Sequence, residues 1–224
     1  MARGYPAPVA SRAAQQEISP DRAWWLRVPA VFLSPRSVFF ALREEDPDDV
    51  GARAEPILLL IWLAGIATVL ASSTAGTLLD DPNYDPLLVA IWAFVAGGLY
   101  GAIGYFVLGF GVFFGARVLG TLGDFRRERQ IVAFALAPVA LSVLVLVPLK
   151  LAVYGGDAFH AGGADQGAGE RIFLALQLGF VAWSVALLLV GVRVVHGWSW
   201  LRSAGVIAIG GALLGAIVAL FATL

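Results

Sequence analysis

An enzyme or a carrier needs polar side chains that converge, and this chain offers few. Its two histidines, His160 and His196, fall in different connections between apolar runs. Asp157, His160 and Asp165 are the residue types that could ligate a cation through carboxylate oxygen and imidazole nitrogen. They stand in the Gly-rich run 155–169, which reads as a flexible loop and not as a preformed cage. No serine has a histidine placed for nucleophilic catalysis, and no two carboxylates share an apolar run for proton work. Gly97-Gly98-x-x-Gly101 imitates a phosphate loop but has no Lys or Arg to meet a phosphate. With no cysteine, disulfides and thiolate metal sites are excluded. The sequence therefore predicts no catalytic, cofactor-binding or metal-ligating residue, no enzyme activity and no nucleic-acid partner.

The elements that carry these residues are apolar to a degree that a water-soluble fold of 224 residues could not hide. Hydrophobic residues make up 59% of the chain and charged ones 14%, against roughly 25% charged in soluble domains. Mean hydropathy is +0.83. Since about 20 apolar residues cross a bilayer core, five charge-free runs are long enough: 56–79, 86–116, 130–149, 172–192 and 203–224. The second is too long for one upright crossing and too short for two, so it reads as one tilted or glycine-kinked helix. The expected fold is all-α: a bundle of five transmembrane helices at 56–224, preceded by a tail at 1–23 and an amphipathic interfacial segment at 24–55.

Charge orients the bundle. Thirteen of the 15 basic residues fall in the N-terminal part or in the connections after the second and fourth runs; Lys150 and Arg171 fall on the opposite side. Asp80–Asp85 carries acid alone. The positive-inside rule then places the N-terminus in the cytoplasm and the C-terminus outside a cell (plasma or inner) membrane. Before the bundle, Trp24 and Trp25 suit a membrane interface, and Ser34 with Pro35 marks a helix start. Val38, Phe39 and Leu42 then line one side of a helix that Pro47 and its acidic neighbours end. Such a helix either lies on the inner leaflet or packs under the bundle.

Within the runs the remaining signals are about packing. Gly97, Gly101 and Gly104, Gly111 and Gly115, and Gly211 and Gly215 recur every three or four residues. Such stripes let helix backbones approach closely in lipid; the alternatives are contacts with a second copy, or a hinge or pore. Gln177, the most central polar residue of its run, reads as an interhelical hydrogen bond or as part of a permeation path.

Two stretches resemble the Yip1 family: Leu33-Ser34-Pro35-Arg36-Ser37-Val38-Phe39 ahead of the spans, and Leu119-Gly120-Thr121-Leu122-Gly123-Asp124-Phe125 leading into Ala133-Phe134-Ala135-Leu136-Ala137-Pro138. That family has a P-x-x-x-F segment before five spans, and a G-G-x-x-x-F loop before an Ala-rich span with Pro. In this chain the glycine pair is spread to Gly120 and Gly123. The resemblance, to a bacterial branch, implies a cytosolic N-terminus and, among eukaryotic relatives, vesicle traffic with small GTPases. Among bacterial relatives it implies company with ABC-type exporters. The expected function is a non-enzymatic membrane scaffold that meets lipid or a membrane-protein partner through Pro35, Phe39, Gly120, Gly123, Phe125, Arg126, Arg127 and Arg129. The alternatives are a transporter, channel or exporter accessory subunit, and self-association. A plainer role for Phe39 and Phe125 is to seal the bottom of the bundle.

Overall fold

The computed structural model describes residues 25–44, 55–81, 83, 85–121, 123–156, 160 and 167–222. The tail at 1–23, Trp24, the break at Pro47, and Asp157 and Asp165 lie outside the described residues. The described chain forms helices α1 (Arg27–Leu33), α2 (Pro35–Glu44), α3 (Glu55–Leu70), α4 (Ser73–Asp80), α5 (Pro86–Val118), α6 (Phe125–Ala135), α7 (Ala137–Tyr154), α8 (Ala168–His196) and α9 (Trp200–Ala222), with no strand among the described residues.

Four stretches are long and apolar enough to cross a membrane: Leu87–Val118, Phe125–Tyr154, Ala168–His196 and Trp200–Leu220. The predicted first span, 56–79, departs from this. Pro56–Leu70 is a shorter apolar helix, at about 1.5 Å per residue well short of a bilayer core of roughly 30 Å. The interruption has a local cause. Ser72 is extended, at ψ 151, and its Oγ donates to the Val69 carbonyl at 2.6 Å, so α4 starts afresh at Ser73. The third run is likewise two helices, α6 and α7, meeting at Leu136. Pro138 near the start of α7 has no N–H to give, yet Leu136 N bonds Val132 O and Ala140 N bonds Leu136 O, both at 2.9 Å, so the two stay in line.

The 33-residue α5 is the element against which α3, α6 and α9 are set. Asp85 starts it by accepting from Leu87 N at 2.7 Å. A Cβ added to Gly65 of α3 would strike the Gly97 carbonyl, and one on Gly101 would strike the Ile61 carbonyl. One turn of α3 thus lies directly on one turn of α5. Further along, Gly115 faces the Val206 backbone and Gly111 lies under Gly210 and Leu214, which seats α9. Gly104, Gly211 and Gly215 have open space where a side chain would go. Gly65 and Gly210, not in the predicted stripes, supply the facing half of each crossing.

The N-terminal helices take the second of the two arrangements open to them. The apolar side of α2 is covered by protein: Val38, Phe39 and Leu42 are buried, and the Phe39 ring sits against Gly191 of α8. Phe32 of α1 meets Trp183 of α8 edge-on at 5.3 Å. The main core joins these residues to Ile57, Leu60, Ile131, Phe134, Val192 and Val206.

Gly65→Leu and Gly101→Leu must push two backbones apart. Each is expected to cost at least about 1–3 kcal/mol, seen as a clearly lower melting temperature in mild detergent. Gly104→Leu and Gly211→Leu, with open space, should melt within error of the parent; equal melting of all four would refute these crossings.

Candidate functional site: the basic end of the bundle

The end of the bundle where α5 runs into α6 and α8 into α9 gathers most of the arginines. Leaving α5, the chain turns at Gly120, whose φ of +91 a side chain would resist. Thr121 N bonds back to Ala116 O at 3.1 Å, and Asp124 Oδ1 caps α6 by accepting from Arg126 N at 3.1 Å. The second turn is built the same way. Gly197, at φ +66, ends α8, and Trp198 N bonds the Arg193 carbonyl at 3.1 Å.

Between the turns lies a buried pair that the charge run Arg126-Arg127-Glu128-Arg129 conceals. The Glu128 side chain is 0% exposed, and its Oε1 stands 2.9 Å from Nε2 of His196, itself 8% exposed. Gly123 leaves room for that carboxylate, since a side chain there would meet Oε1. The His196 ring stacks on Trp198 at 4.6 Å, and the Arg202 guanidinium lies over the same Trp198 ring at 4.1 Å. Arg202 also donates to the Leu119 carbonyl. One column thus ties α6, both turns and the start of α9 together. A buried charge without a partner costs several kcal/mol, so neither member is tolerable alone as an ion.

Of the residues predicted to share one surface, the structure groups some and separates others. Pro35 opens α2, and Phe39 is buried at Gly191. Gly120 lies beside Arg202, and Gly123 beside Glu128. Phe125 lies over Phe113 of α5 at 5.6 Å. Arg129 turns onto rings instead of outward: its Cζ is 4.5 Å from the Phe106 ring, 4.7 Å from Phe125 and 5.3 Å from Tyr105. Arg126 and the half-buried Arg127 stay on the flank of α6. Gln177 is half-buried on α8 and makes no hydrogen bond among the described residues. At the far end, His160 Nδ1 meets Asp80 Oδ1 at 2.7 Å, which fastens α4 to the connection before α8. No group of three metal-ligating side chains occurs among the described residues.

Comparison with protein families matches residues 30–223 to the Yip1 domain. The chain belongs to the Yip1 family. Comparison with curated proteins and with solved structures gives no match. As a Yip1-domain protein it is a multi-pass integral membrane protein. Both stretches that carry the family likeness lie at this end. Phe39 fills the core under α8, and Ala133–Pro138 is largely buried in the same core. Three residues of the column were not singled out by sequence reasoning: Glu128, Trp198 and Arg202. A glutamate among three arginines reads as surface, and its partner is far along the chain.

Removing one member of the buried pair should cost far more than removing both. Glu128→Leu or His196→Leu alone is expected to destabilise by about 3–5 kcal/mol, and the double variant Glu128→Leu with His196→Leu by clearly less. Chemical unfolding of the four proteins in detergent gives the coupling directly; additive losses would show that the two side chains do not interact.

Proposed function

We infer that this Yip1-family protein is a non-enzymatic membrane scaffold that works through its basic end, which faces the cytoplasm. The observation that supports this is the charge distribution. Arg36, Arg43, Arg117, Arg126, Arg127, Arg193 and Arg202 are set at that end, while Asp80, Asp81, Asp85 and Glu170 mark the other. The middle stretches of α5, α7, α8 and α9 hold no charged residue, so nothing there suggests an ion path or intramembrane catalysis. In this reading α3 and α4 together make the first of five crossings of a cell membrane, with the N-terminus inside and the C-terminus outside. The surface available to anionic lipid or to an acidic segment of a membrane-protein partner, an ABC-type exporter among the candidates, includes the loop from Gly120 to Phe125 and the flank of α6. Basic groups near such a surface contribute about 1 kcal/mol each toward anionic lipid.

Two measurements test the reading. In this cysteine-free chain, Asn83→Cys should react with an impermeant reagent added to intact cells, and Arg127→Cys only after lysis. The reverse pattern would overturn the orientation. Replacing Arg126 and Arg127 by Gln should leave the melting temperature within a few degrees while reducing the membrane-protein partner that copurifies. Undiminished copurification would leave the flank of α6 without the proposed role.

A further inference from the structure

Every arginine held on an aromatic ring has its plane fixed, but what its N–H groups do then differs from one to the next. Arg117 lies over Phe113 at 5.3 Å, and Arg129 is enclosed by three rings. The α8–α9 turn holds two guanidinium groups on tryptophans within ten residues. Arg202 is over Trp198 at 4.1 Å, and Arg193 over Trp200 at 4.4 Å. Stacking uses the face of a guanidinium and leaves its in-plane N–H groups at the edge, the geometry that grips two oxygens of a phosphate. Arg202 spends part of that edge on the Leu119 carbonyl. Arg129 and Arg193 make no hydrogen bond or ion pair among the described residues, and the buried Nε of each has no acceptor; Arg129 is walled in by three rings, whereas Arg193 has one. The Nε is shielded, so a ligand from outside meets Arg193 through the terminal N–H groups, which the protein leaves without an acceptor among the described residues.

The surroundings say what that is. Arg43 of α2 reaches the turn at Gly197, adding a third cation, and the positive end of the 23-residue α9 opens there. Among the described residues, the acids of this end do not neutralise the turn. Glu128 is buried against His196, Asp124 caps α6, and Glu44 lines a shallow groove with Arg36, Phe40 and Val194. Beside the cations stand Leu201, 85% exposed, and Trp200, 46% exposed. A soluble anion has no use for them, whereas a lipid places acyl chain next to phosphate, and tryptophan favours that boundary.

We propose that the α8–α9 turn is a binding site for an anionic glycerophospholipid, its headgroup phosphate held by Arg193 and Arg202 and its acyl chains against Leu201 and Trp200. The site rests on the reading that this end faces the inner leaflet, and it names one ligand for it. The Glu128–His196–Trp198 column is the positioning part, because it fixes the ring on which Arg202 lies.

The test uses the full chain in detergent, with thermal-shift titration and native mass spectrometry against dioctanoyl-phosphatidylglycerol, dioctanoyl-phosphatidylcholine and inorganic phosphate. Phosphatidylglycerol should stabilise the parent saturably and remain bound in the gas phase; the other two should not. Arg193→Gln should weaken that binding roughly tenfold with a lipid-free melting temperature like the parent's, and the combined Arg126→Gln and Arg127→Gln variant should leave it unchanged. If Arg193→Gln melts early, Trp200→Leu replaces it, with the same loss expected. Unchanged binding in the Arg193 or Trp200 variant overturns the proposal. Loss confined to the Arg126 and Arg127 variant also overturns it, while sparing the wider scaffold reading. Inorganic phosphate binding as tightly as the lipid would make the ligand a soluble anion and sink the lipid assignment. No preference for phosphatidylglycerol in any protein would count against both readings.

Discussion

Close approach of backbones to α5 is the constraint on which the rest of the structure depends. In lipid no hydrophobic force draws two apolar helices together, so they are held by the contact area their surfaces permit. Along one helix the chain spends its glycines on three neighbours. Gly97 and Gly101 admit α3, Gly109 admits the stem of Arg129 from α6, and Gly111 with Gly115 admits α9. Because α5 is continuous for 33 residues, these notches fix the heights and angles of three other elements at once. The turn at Gly120 and the cap at Asp124 then have one geometry in which α6 can fold back along α5.

The packed core is not spread evenly through the bundle. Val31, Phe39, Leu42, Ile131, Phe134, Val192 and Val206 are fully or almost fully buried, and they come from α1, α2, α6, α8 and α9 toward the basic end. The halves of α8 and α9 away from the basic end carry exposed Ile172, Leu174, Ile217 and Val218. For a membrane protein such side chains are solvated by acyl chains and need no protein partner. Rigidity is therefore concentrated where the polar groups are. The buried Glu128–His196 pair is consistent with this, since a carboxylate can be kept from water only where its surroundings hold a compensating group in place.

Much of this was legible in the sequence for reasons that can be named. Charge-free length identified α5, α8 and α9, because a helix that crosses lipid tolerates no charge in its middle. Glycine spacing identified Gly97, Gly101, Gly111 and Gly115 as close contacts, but it could not say which neighbour each would meet. It also could not separate Gly210 from Gly211, adjacent residues that point to different sides of α9. The break was written in Ser72, whose hydroxyl takes the Val69 carbonyl, yet a hydropathy count passes through it. Glu128 was the hardest residue to read. Three arginines around it define a polar segment, and only the meeting of α6 with the end of α8 makes one position of that segment interior.

That same meeting explains why arginine is not uniform in its role at this end. A guanidinium can lie flat on an apolar ring and remain hydrated at its edge, which an ammonium cannot do as well. Arg129 uses the property to enter an aromatic surface shared by α5 and α6. Arg202 uses it to brace one turn against the other through the Leu119 carbonyl. Arg193 uses it to stand ready beside Trp200 with its donors unspent. A count of positive charge treats these three residues alike. Their settings differ: Arg202 is committed to the Leu119 carbonyl, whereas Arg129 and Arg193 both keep a buried Nε without an acceptor among the described residues, the first closed in by three rings and the second resting on one. It is at residues of the third kind, fixed in place by their stacking but incomplete in their bonding, that a ligand gains most from binding and the fold loses least by waiting for it.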